Sequence, residues 1–279
     1  MGTDMTTPMA TRMFEYDFMR TAFAASGIVA VLAGITGFFL VLRGQTFAGH
    51  ALSHVGFTGA TGAVLLGLPP LAGLVGFTVL AGFGMGMLGE KLSERDVAIG
   101  MMLSLALGLG LLFLHFFTSY ASQATALLFG NVLGVDSNAL TWLAILAALS
   151  LAALAFISRP LIFASLQSEL AEARGAPIQL ISTAFLMIVA VAVAESAQIV
   201  GVLLVFTLMV GPAASALAFT RRLWGAAALA LALALFEAWG GLTLAFYTDW
   251  PVSFWITALS GVVYFASLVN WRGIGAARA

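Results

Sequence analysis

Nine apolar runs of roughly bilayer-spanning length follow one another along this 279-residue chain. A helix needs about 20 apolar residues to cross the hydrocarbon core of a membrane. Hydrophobic residues make up 62% of the chain and charged residues only 8%, whereas a soluble domain carries about 25% charged residues. The sequence therefore predicts an all-α fold, a polytopic membrane bundle of about nine transmembrane helices. The runs lie near residues 20–42, 45–67, 69–89, 97–117, 139–157, 177–195, 198–220, 224–247 and 251–270.

The basic residues predict the orientation of this bundle. If nine spans alternate in direction, nearly all arginines and lysines fall in one set of loops, and only Arg12 and Arg20 fall in the other. The positive-inside rule assigns the larger set to the cytoplasm, which puts the N-terminus outside and the C-terminus inside. The cytoplasmic set comprises Arg43, Lys91, Arg95, Arg159, Arg174, Arg221, Arg222, Arg272 and Arg278.

The chain divides into three predicted regions of a multi-pass protein of the cell (inner or plasma) membrane. Residues 1–17 are too polar for a secretory signal, so we expect the first span to insert uncleaved. Residues 18–270 form the transmembrane domain and residues 271–279 a cytoplasmic tail. A net charge of −1 argues against a nucleic-acid partner. The lack of cysteine excludes disulfides, thiolate metal sites and cysteine catalysis.

Two histidines, His50 and His54, lie four residues apart in the second run. Four residues is just over one helical turn, so both imidazoles project from the same face of the predicted helix. Titratable groups are costly in hydrocarbon and usually mark a pathway or a site, although a lone membrane histidine is more often a packing residue. Paired neutral imidazoles are good ligands for a borderline divalent metal such as zinc. The pair therefore predicts a membrane protein that handles a small cation.

Two glutamates are further candidates for the cation path. Glu237 lies mid-way along the eighth run, where a carboxylate must be neutral, paired or facing water. It could complete a mixed nitrogen and oxygen ligand set with the histidines, or it could be a protonated packing residue. Glu195 lies at the outer boundary of the sixth run, where it could be a gate or relay ligand, although a solvated loop carboxylate is the simpler interpretation. His115, near the outer end of the fourth run, is interpreted as an interfacial residue.

A short capped segment interrupts the loop at residues 158–177. Ser168 suits the N-cap of a helix, acidic residues follow in the first turns, and Gly175 is placed to end the helix. The pattern predicts a helix at about residues 165–175 between two spans. Such a helix resembles the coupling helix of ABC importers, which docks in a groove of the ATPase subunit, although any cytoplasmic loop can hold a surface helix.

An ordered set of motifs resembles the metal-ion (zinc, manganese, iron) family of ABC importer permeases. Gly37 to Arg43, followed by Phe47-Ala-Gly-His-Ala-Leu-Ser-His54, is similar to the second-span motif of that family, which usually reads Asp-Ala-Leu-Ser-His. The resemblance covers roughly residues 18–270. Later elements that match in order are Leu128-Phe-Gly-Asn131, Glu169 to Gly175, Gln198 to Leu204 with Pro212 to Ala216, and Asp249-Trp-Pro251.

This resemblance implies the transmembrane permease subunit of an importer for a divalent metal ion. It implies that His50 and His54 line or coordinate the ion, and that two copies of the chain pair with two copies of a cytoplasmic ATPase. An extracytoplasmic metal-binding protein would deliver the ion. The coupling residues would be Glu169, Ala171, Arg174 and Gly175.

The chain is then predicted to be a transport subunit rather than an enzyme, with no permanently bound cofactor. Gly84 to Ser93 lacks the adjacent Gly-Lys-Ser/Thr of a phosphate-binding loop, so ATP hydrolysis is expected on a partner. Two positions depart from the family pattern: His50 replaces the usual aspartate, and Ser253-Phe254 replaces a Ser-Gly pair. Imidazole in place of carboxylate favours zinc as the transported metal, with manganese or iron next.

Three other functions are less consistent with the sequence. An intramembrane metalloprotease would need His-Glu-x-x-His, but Ala51 stands at the glutamate position. An ATP-independent secondary transporter or channel for divalent cations would need inverted repeats or broken helices, and no clear internal repeat is visible. A permease for metal-siderophore or cobalamin would need a wide cavity rather than paired histidines.

Overall fold

The computed structural model describes residues 13–88, 92–116 and 128–276, and within these ranges the regular structure is entirely helical. The helices are α1 Asp17–Leu42, α2 Thr46–Leu65, α3 Pro70–Met87, α4 Leu92–His115, α5 Ser137–Leu166, α6 Ser168–Ala173, α7 Ile178–Val200, α8 Val202–Phe219, α9 Leu223–Thr248 and α10 Val252–Ala276, with a 3-10 turn at Val132–Gly134 before α5. The predicted all-α membrane bundle is confirmed.

Eight of the described helices are long and apolar enough to cross a membrane. The helix α2, which carries the histidines, is 20 residues long but too polar to be among them. Most of its residues are buried against α3, α4, α7 and α8. Because neighbouring helices surround it, α2 does not need an apolar lipid-facing surface. A count of nine spans and the orientation of the bundle stay predictions.

Several helix boundaries differ from the sequence-based prediction; the last helix, for example, continues to Ala276 instead of ending at residue 270, so it enters the predicted tail. The fifth run was expected to end at residue 157, but α5 continues through Pro160 to Leu166 because Leu161 and Ala164 extend its buried face. The sixth run was expected to end at residue 195, but α7 continues to Val200. The helix ends there because Gly201, with φ of 88°, forms the sharp one-residue link to α8.

Glycines allow the helices around α2 to approach at backbone distance. A Cβ atom added to Gly59 of α2 would lie within van der Waals overlap of the Gly73 carbonyl oxygen on α3, and the reverse clash is equally severe. The helix α3 packs in the same way on α7, where Gly82 faces the backbone of Leu186. Small residues at such crossings replace hydrophobic driving force with close packing inside a membrane. These contacts fix α2 between α3 and the rest of the bundle.

Replacing Gly73 with alanine is expected to destabilise the bundle, whereas Gly76→Ala in the same helix is not. The new Cβ at position 73 would lie 2.1 Å from the Gly59 carbonyl oxygen, while nothing lies within 4 Å of a Cβ at position 76. Overpacking of this kind costs roughly 1–3 kcal/mol, and alanine otherwise favours helix over glycine. Thermal unfolding of the detergent-purified chain measures both variants, and equal midpoints would contradict the close crossing.

Candidate metal-ion path

The two predicted histidine ligands lie side by side on α2. The imidazole centroids of His50 and His54 are 4.7 Å apart, with the rings nearly perpendicular. Both side chains are half-buried, and the ring of Phe206 on α8 lies 5.1 Å from the His50 ring. The helix continues through the pair, and the Ser53 hydroxyl donates to the His50 carbonyl oxygen at 2.7 Å. The prediction that both imidazoles share one face of a helix agrees with this geometry.

Two imidazoles at this separation can bind one divalent cation from the same side. The Nδ1 atom of His50 is buried and has no hydrogen-bond partner among the described residues. Over the same residues, no group of three or more histidine, aspartate or glutamate side chains is arranged to hold a metal ion.

Glu195 is buried inside α7, with 1% of its surface exposed. The interpretation of this residue as a solvated loop carboxylate is therefore wrong, because α7 extends beyond it to Gly201. The helix α7 packs directly on α2. The helix α3 contacts α2 at Gly59 and α7 at Leu186, and these contacts fix the relative height of α2 and α7. Counting residues from them puts Glu195 about one helical turn beyond His54, toward the α7–α8 junction. Its carboxylate and the adjacent Ser196 hydroxyl have no hydrogen-bond partner within the described part of the chain.

Glu237 is fully buried in α9, but the structure does not place it beside the histidines. It lies near the buried Ser260 of α10, whose hydroxyl points at Gly211 of α8. The His50 ring meets α8 at Phe206, five residues earlier, which is about 140° around the helix. The carboxylate and the histidine pair therefore approach different faces of α8.

A cavity of about 200 Å³ lies at the α7–α8 junction, on the side that the sequence predicts to be outside. It is lined by the segment that contains the Phe-Gly-Asn motif, by the end of α7 and by the start of α10. Gly130, with φ of 77°, meets the backbone of Gly201 here, and neither position has room for a side chain. The polar residues that line the cavity include Ser26, Asn131 and Ser253.

The predicted coupling segment forms a short helix between two long ones. Gln167 alone links α5 to α6, so Gln167 rather than Ser168 occupies the N-cap position, and Ser168 is the first helical residue. Gly175 ends the turn with φ of 73°, as predicted. Ala171 is completely buried, whereas Glu169, Glu172 and Arg174 are exposed. Leu170 is 44% exposed and gives the helix an apolar outward surface.

The remaining titratable residues to be placed are His115 and the arginines Arg43 and Arg95. His115 is exposed at the end of α4, with its ring near Phe116, in agreement with an interfacial residue. The sequence assigned no contact to Arg43 or Arg95, but both take part in a polar cluster around Gln45. The interruption of an apolar run by Arg43-Gly-Gln45 just before the histidine motif was the available signal.

Comparison with known proteins identifies the family. Residues 15–270 match the ABC 3 transport family. The manganese transport system membrane protein MntC of Listeria innocua is 28% identical over 212 residues, which cover 76% of this chain and 75% of the relative. A protein of Haemophilus influenzae named as a probable iron transport system membrane protein is 28% identical over 84% of this chain and 87% of its own length. PsaBC from Streptococcus pneumoniae, solved with a Fab, has the same fold, with a TM-score of 0.82 at 23% identity over 93% of this chain and 95% of that chain.

The helical bundle and these relatives define a multi-pass ABC-type permease of the plasma membrane. This chain belongs to the ABC 3 transport family. The resemblance seen in its motifs is thereby confirmed.

Proposed function

We propose that this chain is the membrane subunit of an ABC importer that carries a divalent metal ion into the cytoplasm, driven by ATP hydrolysis on a separate subunit. The observation that carries the proposal is the His50–His54 pair, 4.7 Å apart on a helix enclosed by the bundle. Burying a pair of imidazoles inside a membrane protein costs free energy, and such pairs usually mark a pathway or a site. The membership of the chain in a transport family supplies the reaction class.

In this proposal the metal ion passes along α2. It enters from the outer cavity, passes the buried Glu195 carboxylate, and binds between the imidazoles of His54 and His50. Glu237 stays a prediction as a ligand, because it would need a rotation of α8 or α9 to face the histidines. A path must release its ion, so the ligand set has to change during the cycle. Rocking of helices, driven from the cytoplasmic side, would supply that change.

The partners follow from the same proposal. A cytoplasmic ATPase would dock on α6 through Glu169, Leu170 and Arg174, with Ala171 anchoring the helix and Gly175 ending it. Two copies of this chain would pair with two ATPase copies, and an extracytoplasmic metal-binding protein would deliver the ion. The exposed Leu170 suits a groove in the ATPase, because an apolar anchor with a charged rim is the usual composition of a docking surface.

The transported metal is proposed to be zinc, with manganese as the second candidate. Imidazole nitrogen suits zinc, whereas carboxylate and water suit manganese. The names of the similar proteins, which include a manganese and an iron transport protein, favour manganese. We favour zinc because His50 stands where the resembled family usually has aspartate, and we keep manganese or iron as the next candidates.

The experiment that tests the proposal is metal uptake into vesicles that carry the permease with its ATPase and binding protein. Zinc, manganese and iron are each supplied with and without ATP. Uptake of one metal only when ATP is present is the expected result. Uptake at the same rate without ATP would instead identify a secondary transporter or channel.

A single substitution separates the two candidate metals. His50→Asp restores the residue usual in the family, and it exchanges a nitrogen ligand for an oxygen ligand at the same helix position. We expect the ratio of zinc to manganese uptake to fall by about tenfold, a difference of about 1.4 kcal/mol. Competition between the two labelled metals in one vesicle preparation measures the ratio. A ratio equal to that of the unmodified chain would show that His50 does not contact the ion.

A further inference from the structure

A polar cluster joins five elements at the end of the bundle that carries α6. We call it the Arg43 cluster; it consists of Arg43, Gln45, Arg95, Ser165 and Ser182. The Arg43 guanidinium donates from Nη1 to the Ser165 hydroxyl at 3.2 Å and from Nη2 to the Ser182 hydroxyl at 3.3 Å. The guanidinium also lies 5.7 Å from the centre of the Phe185 ring. One side chain therefore bridges α5 and α7 from the end of α1.

The Gln45 amide connects the same guanidinium to α4. Gln45 is 5% exposed and Arg95 is 4% exposed. With its oxygen turned toward the guanidiniums, the amide accepts from Arg43 Nε at 3.3 Å and from both terminal nitrogens of Arg95 at 3.0 and 3.2 Å. The same atom of the amide lies 3.4 Å from the Ser182 hydroxyl. Each member of the cluster is thus held by at least one other member.

The cluster lies beside both flanks of α6 and at the start of α2. Ser165 lies three residues before α6 begins and Ser182 lies in the first turns of α7, so these hydroxyls flank α6 on both sides. Gln45 is the N-cap residue of α2, five residues before His50. Five residues of helix correspond to about 7.5 Å. Arg43 therefore connects both flanks of α6 to the start of the helix that carries the histidines.

We propose that Arg43 is a positioning residue that transmits movement of α6 to α2, and so couples ATP hydrolysis to a change at His50 and His54. This inference rests on the proposed importer function. The direct link between α1 and α2 is only Arg43-Gly44-Gln45, and nothing lies within 4 Å of a Cβ added at Gly44. Besides this covalent link, the Gln45 backbone N–H donates to the Leu40 carbonyl oxygen at 2.9 Å, so the start of α2 is held both by α1 and by the Arg43 cluster. A continuous set of packed and hydrogen-bonded side chains is one physical means by which two distant sites become coupled.

The geometry requires arginine rather than lysine. Three nitrogens of one planar group reach Ser165, Ser182 and Gln45, which lie on different elements. A lysine ammonium is a single point charge and cannot span all three acceptors. We therefore expect Arg43→Lys to restore only part of the function lost in Arg43→Gln.

The test measures metal ions transported per ATP hydrolysed by the full complex in proteoliposomes. Arg43→Gln is expected to lower this ratio by about tenfold, while complex assembly and ATP hydrolysis stay close to the unmodified level. Arg159→Gln, which removes an exposed charge from α5, is the matched control and should leave the ratio unchanged. A variant that lost stability alone would lose uptake and hydrolysis in proportion. An unchanged ratio, or a proportional loss of both, would overturn the proposal.

A double-mutant cycle tests the route through the serines. If Arg43 acts through Ser165 and Ser182, adding Ser165→Ala and Ser182→Ala to Arg43→Gln should lower the ratio no further. Fully additive losses would show that the arginine acts elsewhere and would overturn this route.

A distance measurement keeps the inference separate from the proposed function. The chain contains no cysteine, so Thr46→Cys and the exposed Ala173→Cys give one spin-label pair between α2 and α6 within each copy. In complexes that contain one labelled and one unlabelled copy, we expect a single narrow distance, lost in Arg43→Gln and retained in Arg159→Gln. If uptake by the unmodified complex ignored ATP, the importer function would fail, and this distance would still decide whether Arg43 holds α2 to the flanks of α6. A distribution unaffected by Arg43→Gln would overturn the link.

Discussion

Replacing His54 with alanine is expected to abolish metal uptake while leaving the permease inserted in the membrane. His54 is the deeper of the two imidazoles along α2 from the α6 end, and its ring faces the His50 ring at 4.7 Å. Loss of an outer-shell partner alone lowers metal affinity or activity by about 10- to 100-fold, so loss of a direct ligand should reduce uptake by at least about 100-fold. Labelled-metal uptake with ATP, normalised to the amount of permease in the vesicles, measures the effect.

The third histidine of the chain provides a control position for this substitution. Of its three histidines, His115 lies exposed at the end of α4, where its ring contacts Phe116 rather than the path. His115→Ala should therefore retain the uptake of the unmodified permease. His54→Gln fills most of the same space and keeps a polar group, so it separates lost packing from a lost ligand. If His54→Ala transported normally, the ion would have to follow another route through the bundle.

The helices were predictable because bilayer thickness fixes their length. Each of the nine apolar runs corresponds to one long helix, and the polar second run forms a helix that is largely buried among its neighbours. The same periodicity placed His50 and His54 on one face, since their spacing is a local property of the helix. Sequence patterns were therefore sufficient for features that depend only on residues within one or two helical turns of each other.

The boundaries that failed depended on packing rather than on composition. A charged residue ends an apolar run in the sequence, so the sixth helix was expected to end at Glu195. The chain instead buries this carboxylate and ends the helix at Gly201, where only glycine accommodates the backbone beside Gly130. Likewise, α5 continues past Pro160 because the next turns still bury apolar side chains.

The relation between distant candidates could not be predicted from sequence. Whether Glu237 joins the histidines depends on which face of α8 each helix meets, and that is set by helix packing throughout the bundle. The Arg43 cluster, which sequence reasoning missed, also depends on contacts between distant residues. Its members are spread from Arg43 to Ser182, and their charges and hydroxyls are unremarkable until the fold brings them together.

Replacing residues 169–175 with a flexible glycine-serine linker of equal length is expected to uncouple ATP hydrolysis from transport. The helix α6 is a rigid insert, since Gln167 alone joins it to α5 and a buried Ala171 holds it in place. A flexible linker would absorb a displacement that the helix passes to α5 and α7. ATP-driven uptake should fall to background, and ATP hydrolysis by the partner should no longer respond to the metal-loaded binding protein.

A second variant separates the rigidity of α6 from its recognition by the ATPase. Alanine at Glu169, Leu170 and Glu172 keeps a helix of the same length, because alanine has the highest helix propensity, but removes the exposed anchor and charges. If docking depends on these side chains, the ATPase should dissociate from this variant during purification. If rigidity alone matters, the alanine variant should transport while the linker variant does not. Coupled uptake by the linker variant would exclude α6 as the contact that receives movement from the ATPase, and would place that contact on another cytoplasmic segment.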